Sequence, residues 1–470
     1  MKDRKITHNL ALLNKKEVQA LTIFLKQEND VLQKLLAHLL CFYPNFNQTQ
    51  VNDKQVWQAI YGTTPYNGAK FNKLCYRLVK KTEQFMIAEK NNEDAIEQLK
   101  NLFYFYYEHQ SYDLAAETLQ RMKRLQAKES TKNHAYYQQQ LLIEELTSII
   151  KYMYDNRQKD LNLQVKSDAL DTYYVVKKLM FFCEMLARKH SVSINYQLHL
   201  LNTIEAHIKA QNLLQNPTVA TWYEAFCLLY YKKEVHYYAL KNLLQQHHNL
   251  LGEGEVNGFY IYLEIMARNL FKKEAYYKEL FDIYKMKINT EIIYVNGFIN
   301  NQLYKNIITT AINLHELAWV ENFVLQNEQK VYPATFREQI HFLTLAKINF
   351  AKKEFATALN VLRPDYKYTD IFLELDARRI ELKLYYELNY SDLLENKLNA
   401  FKVFLSRNKT IPTAHKQNHR IFSSYLQKII QTYNMPEKHE VLINELQNAN
   451  NFPEKKWLLQ KLTALVKALP

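Results

Sequence analysis

The stretch NEDAIEQLKNLFYFYYEHQSYDLAAETLQRMKRLQ, residues 92–126, decides how this chain folds. Asn92 is suited to cap a helix whose apolar positions Ile96, Leu99, Phe103 and Tyr106 recur every three or four residues, the spacing of one helix face. Ser111 is suited to cap a second helix carrying Leu114, Ala115, Leu119 and Met122 at the same spacing. Little chain separates the two, so they read as one helical hairpin. The run Phe103-Tyr104-Phe105-Tyr106-Tyr107 is apolar all round. It predicts that the first helix touches both its partner and the next hairpin.

The same grammar recurs towards the C-terminus. Pro217, Gly254, Thr290, Pro333, Thr369, Pro412 and Pro453 each precede or open an apolar-periodic stretch, with gaps of 37, 36, 43, 36, 43 and 41 residues. Proline suits a first helical turn, and Ser, Thr and Asn suit the cap. A further break falls inside most periods, as at Tyr231-Lys232-Lys233-Glu234 and Ala351-Lys352-Lys353-Glu354. Two helices per ~40 residues is the mark of stacked helical hairpins.

Thr344-Leu345-Ala346 through Lys353-Glu354-Phe355-Ala356-Thr357-Ala358 resembles a tetratricopeptide repeat, in which a small residue of the first helix is paired with another in the second. Leu345, Ala346, Phe355, Ala358 and Leu362 fall on motif positions, while Asn349 stands where an aromatic is usual, with Phe350 beside it. Tyr223, Phe226, Cys227, Tyr230, Ala239 and Leu243 make a second match, with His236 at the aromatic turn position. Leu102, Tyr106, Tyr112, Ala115 and Leu119 make a third, although Phe103 replaces the small residue. The resemblance covers residues 92–470 with a period nearer 40 than 34, so related helical-hairpin solenoids stay open. The opening region and the tail Phe452-Pro453-Glu454-Lys455-Lys456-Trp457-Leu458-Leu459 are also similar to an uncharacterised bacterial family of such proteins. The resemblance implies an all-α, right-handed superhelical array of antiparallel helix pairs over residues 91–470. It places Ala239 and Ala358 where two helices approach closely.

Residues 1–90 read as a separate N-terminal helical module or cap. Helices are expected at 15–27 (capped by Asn14), 29–42, 53–61 and 67–88. Gly62-Thr63-Thr64-Pro65-Tyr66 joins the last two, a link of helix-turn-helix length.

Composition narrows the function. The chain holds 6 glycines in 470 residues, where average usage supplies about 30. Phosphate-cradling loops therefore have few places to form. No glycine precedes a lysine, and GxSxG, HExxH and kinase-type glycine loops are absent. Gly252-Glu253-Gly254 with Gly258 is the one glycine cluster, and without a flanking strand it reads as a loop between hairpins. Cys41, Cys75, Cys183 and Cys227 form no CxxC pair, which points to reduced cysteines in the cytoplasm. The longest apolar run, Leu35 to Tyr43 around His38, is too short for a membrane span.

The net charge of +13 is uneven. Residues 1–90 hold 14 Lys/Arg and 7 Asp/Glu, and residues 331–470 hold 21 and 14, while the middle is neutral. Lysine outnumbers arginine 48 to 13, alongside abundant Asn, Ile, Tyr and Phe, so AT-rich codons supply part of the basicity. Two stripes concentrate it. Lys70, Lys73, Arg77, Lys80 and Lys81 lie largely on one helix face, opposite Phe71, Leu74, Cys75, Leu78 and Phe85. Residues 396–436 carry Lys397, Lys402, Arg407, Lys409, Lys416, Arg420 and Lys428 and no acid. Such fields attract nucleic acid, anionic lipid or an acidic protein face, and they are also the ordinary solvated face of a lysine-rich helix.

His415 and His419 have the i, i+4 spacing of metal ligands, but no carboxylate between Asn396 and Pro436 completes a site. Glu338 and His341 form a single ExxH where a bundle di-iron site needs two. The 35 tyrosines suit either binding surfaces or helix packing. No catalytic residue, metal or cofactor is therefore expected, and no oligomeric state is fixed. The leading expectation is a non-catalytic scaffold holding a protein or peptide partner. The alternative is a nucleic-acid-associated protein using the stripes at 70–81 and 396–436.

Overall fold

The computed structural model describes residues 4–44, 46, 52–154, 160–189, 194–364, 366–450 and 452–467. It is 80% helical, with 23 α-helices among the described residues. The chain divides into two compact units, residues 1–178 and 179–470.

In the first unit, α1 (Lys5–Leu12), α2 (Lys15–Phe24), α3 (Asp30–Leu40), α4 (Asp53–Tyr61) and α5 (Gly68–Glu93) share one core containing Leu10, Leu21, Leu39, Trp57, Phe71 and Leu78. Asparagine starts four of these helices. Asn14 forms a capping box with Glu17, and Asn29, Asn52 and Asn67 each accept a first-turn backbone N–H. A second core joins α6 (Ala95–Glu108), α7 (Tyr112–Ala127) and α8 (His134–Tyr154) through Leu99, Phe103, Ala115, Leu119, Met122 and Ile143.

Two local expectations change here. Asn92 lies inside α5, and Asp94 caps α6 by accepting from the Glu97 N–H. The aromatic run is not covered on every face: Phe103 is buried, whereas Tyr104 is 38% and Phe105 55% exposed. Phe103 and Leu99 nevertheless share a core with both α7 and α8, as expected of this helix.

Beyond α9 (Leu163–Lys189) and α10 (Leu201–Ala210), the second unit is built of successive helix pairs. These are α11 (Pro217–Tyr231) with α12 (Glu234–His247), α13 (Glu253–Leu270) with α14 (Lys273–Asn289), and α15 (Asn301–Asn313) with α16 (Leu317–Asn327). They continue as α17 (Arg337–Ala351) with α18 (Phe355–Leu362), α19 (Ile371–Glu387) with α20 (Ser391–Arg407), α21 (Thr413–Gln431), and α22 (Pro436–Asn448) with α23 (Lys455–Lys467). First helices also meet across pairs: α11 packs on α13, α15 on α17, and α17 on α19.

One turn is used four times. Gln110, His315, Lys353 and Asn389 each adopt the left-handed conformation, with φ of 59, 61, 64 and 58°. The next residue's N–H then donates back across the turn: Ser111 to Tyr106 O, Glu316 to Ala311 O, Glu354 to Asn349 O and Tyr390 to Tyr385 O. This is the Schellman closure, here made without glycine. Four residues after Ser111, Glu316, Glu354 and Tyr390 sit Ala115, Val320, Ala358 and Leu394, all buried. Ala358 thus holds the close-approach position expected of it, with Ala346 buried opposite in the same core. Ala239 does not. It is half-buried, and Tyr237, four residues after Lys233, takes the equivalent place at 0% exposure.

Thr290 also differs from expectation, since it ends α14 rather than starting a helix. The next helix begins at Asn301, after β1 (Tyr294–Val295) and β2 (Phe298–Asn300), which form a small sheet with β3 (Val331–Tyr332) beyond α16. Strand β2 pairs antiparallel with β1 and parallel with β3. Asn296 and Gly297, with φ of 52 and 80°, make the two-residue hairpin turn that needs positive φ at both positions.

Candidate functional site

On α19, Asp376, Arg379 and Lys383 are spaced three and four apart, which puts them on one helix face. Because α15 packs on α17 and α17 on α19, Lys305 and Lys347 reach the same carboxylate, Asp376. The sixth group is Glu454, held left-handed (φ 64°) in the turn before α23.

The geometry is asymmetric. Arg379 donates through Nη2 to Asp376 Oδ1 at 2.8 Å and through Nε to Glu454 Oε1 at 3.0 Å. Lys383 Nζ donates to Glu454 Oε2 at 2.7 Å and lies over the rings of Phe350 (4.1 Å) and Trp457 (5.5 Å). Lys305 Nζ and Lys347 Nζ approach only Asp376 Oδ2, at 3.3 and 3.7 Å. Among the described residues no other acid pairs with these four cations. Their side chains and those of the two acids remain 10 to 21% exposed, so solvent reaches the cluster.

The electrostatics follow from burial and crowding. Burial opposes ionisation of Asp376 and Glu454, yet the surrounding cations win. Lys347, Arg379 and Lys305 hold the Asp376 carboxyl far below its usual range, and Lys383 and Arg379 hold Glu454 at about 2. Lys347 is pushed down by burial and by the nearby Lys305 and Arg379, only partly offset by Asp376. The buried ring of His419 on α21 packs edge-on against Phe401, and burial and Arg379 lower its pKa to about 4. Its Nδ1 has no hydrogen-bond partner among the described residues.

Of the expected basic positions, Lys70, Lys73, Arg77 and Lys80 are all exposed on α5, opposite buried Phe71, Leu74, Cys75, Leu78 and Phe85. Lys70 lies over the Tyr61 ring at 4.7 Å, and Lys80 pairs with Glu83 at 3.3 Å, as Lys81 does with Glu28 at 2.5 Å. Lys73 and Arg77 have no partner among the described residues. In the second stripe, acids from neighbouring helices neutralise part of the field. Lys397 pairs with Glu381 and Lys428 with Glu445, both at 2.7 Å, and Lys402 donates to Gln427. Arg407, Lys409 and Arg420 are exposed and Lys416 is half-buried, all without an ion-pair partner among the described residues.

His415 and His419 do not converge on a common point, since His415 packs on the Phe372 ring at 5.3 Å. Among the described residues no group of three His, Cys, Asp or Glu is close enough to hold a metal ion. His341 pairs instead with Glu328 at 2.8 Å, and Glu338 accepts from the Tyr366 hydroxyl at 3.1 Å. Gly252 precedes α13, and Gly254 and Gly258 lie within it, so the glycine cluster forms no loop around a ligand.

Sequence reasoning missed the six-group cluster. Its one local signal was the Asp376–Arg379–Lys383 spacing. Lys305, Lys347 and Glu454 lie outside α19, at least one helix away along the chain. No family model, curated protein or solved structure matches the chain.

Proposed function

We propose that the chain is a non-catalytic scaffold or adaptor, with its helix pairs wound as a right-handed, tetratricopeptide-like superhelix that holds a protein or peptide segment. The observation supporting this reading is the placement of part-exposed charged groups on the first helices of three consecutive pairs, α15, α17 and α19. Such a face recognises a shape and a charge pattern spread over several repeats. No helix among the described residues is long and apolar enough to cross a membrane, and all four cysteines are free, three of them buried. We place the protein in the cytoplasm.

Co-purification with mass spectrometry tests the reading. Wild-type protein should recover a defined partner, and the double variant Lys305→Glu/Lys347→Glu should lose it. Lys73→Glu/Arg77→Glu should keep it. The same proteins recovered with all three would sink the proposal.

A second reading is favoured by the unpaired Lys73 and Arg77 on α5 and the unpaired Arg407, Lys409, Lys416 and Arg420: association with nucleic acid. It predicts binding whose logarithm falls steeply with the logarithm of salt concentration. Absence of filter binding at ~50 mM salt would remove it.

A further inference from the structure

We propose that Lys305, Lys347, Arg379 and Lys383 form a binding site for a tetrahedral dianion of the phosphate-ester class. The proposal rests on the α15–α17–α19 face being the binding surface and adds the chemistry that face recognises.

Hydrogen-bond capacity is the first ground. An ammonium carries three donors. Those of Lys305 and Lys347 meet a single shared oxygen, Asp376 Oδ2, and neither approach is shorter than 3.3 Å. The other oxygen of Asp376 is taken by Arg379. Two ammonium groups therefore stand side by side with few protein acceptors among the described residues, on side chains 13 and 18% exposed and so reachable from solvent.

Charge is the second ground. Four cations face two carboxylates, which leaves an excess of two positive charges in a place where burial makes charge expensive. A phosphate monoester carries about −1.5 to −2 near pH 7 and three acceptor oxygens. It matches the excess, whereas a single carboxylate leaves one cation uncompensated. Asp376 and Glu454 keep the cations in position between binding events.

His419 is the third. Its ring is 4% exposed, lies within electrostatic range of Arg379, Asp376 and Glu454, and has an unpartnered Nδ1.

The test uses the full chain, with inorganic phosphate as probe against chloride and acetate at matched ionic strength, read by thermal shift and calorimetric titration. Phosphate should raise the melting temperature saturably, and the other anions should not. Lys305→Gln and Lys347→Gln should each weaken phosphate binding at least about tenfold. Helicity should stay unchanged, and Lys347→Arg should restore binding. Without phosphate, Lys347→Gln should melt at or above the wild-type temperature, because it removes an uncompensated cation. A phosphoserine peptide bound more tightly than phosphate identifies the source as a modified partner segment. A peptide bound no better identifies a free phosphorylated compound; either result supports the dianion chemistry. The proposal is overturned if phosphate acts no differently from acetate, or if both glutamine variants bind like wild type. Partner recovery by wild-type protein is a separate readout, so failure here is distinguishable from failure of the scaffold reading.

Discussion

A buried alanine and a half-buried one give opposite forecasts at the residue scale. Ala358 is fully enclosed in the core shared by α15 to α19, so Ala358→Asp places an unpaired carboxylate among apolar side chains. We expect a loss of several kcal/mol, seen as a large fall in melting temperature. Ala239→Asp should shift melting only slightly, because a half-buried site lets the carboxylate reach water. Equal falls for the two would mean that the hairpin register is misassigned. His419 gives a pH forecast. Its folded pKa of about 4 lies below the ordinary value of 6.5, so the unfolded chain binds the proton first as pH falls. Stability is therefore full above pH 6.5 and declines towards pH 4, by up to about 3 kcal/mol. In urea titrations, His419→Phe should flatten the profile in that window; an unchanged slope would count against it. Glu454, held at about 2, should add a separate loss below pH 4.5, because its stabilisation disappears as the folded carboxylate protonates.

At the scale of elements, the repeated turn explains how a chain with 6 glycines builds helical hairpins at all. Left-handed backbone costs a side-chain-bearing residue roughly 1–2 kcal/mol, and only the turn's double hydrogen-bond closure holds it there. Lys353→Gly and His315→Gly should therefore stabilise the protein by roughly 0.5–1 kcal/mol each, after glycine's greater chain entropy is counted. Asn389→Gly should gain less, since asparagine tolerates this conformation. A fall in melting temperature for Lys353→Gly would contradict the turn geometry. Periodicity and caps made most helices legible: Asn14, Pro217 and Pro412 mark true starts, and the break at Lys232-Lys233 is a true turn. Thr290 misled because a Thr after an apolar run can end a helix as well as start one. The Asn296-Gly297 pair beside it was the visible sign of a strand hairpin.

Across the whole molecule, each helix pair finds its apolar partners mainly in its neighbours, and the hydrophobic residues group into separate cores. A chain built this way should not unfold in one step. We expect the calorimetric enthalpy of unfolding to exceed the van't Hoff value, and equality of the two would show a single cooperative core. Hydrogen exchange should show the same thing locally, with Ala358→Asp loosening α15 to α19 while the amides of α3 keep their protection.

That this protein is helical, where most helices begin, and that hairpins of ~40 residues recur are all legible along the chain, because caps, turns and apolar periodicity act over a few residues. It also showed the charge at 396–436, but not that Glu381 and Glu445 reach across from other helices to neutralise Lys397 and Lys428. Helix packing brings Lys305, Lys347, Arg379, Lys383, Asp376 and Glu454 together. Local charge is a sum over whatever packing makes adjacent, and nothing in the spacing of residues 305, 347 and 454 encodes that sum.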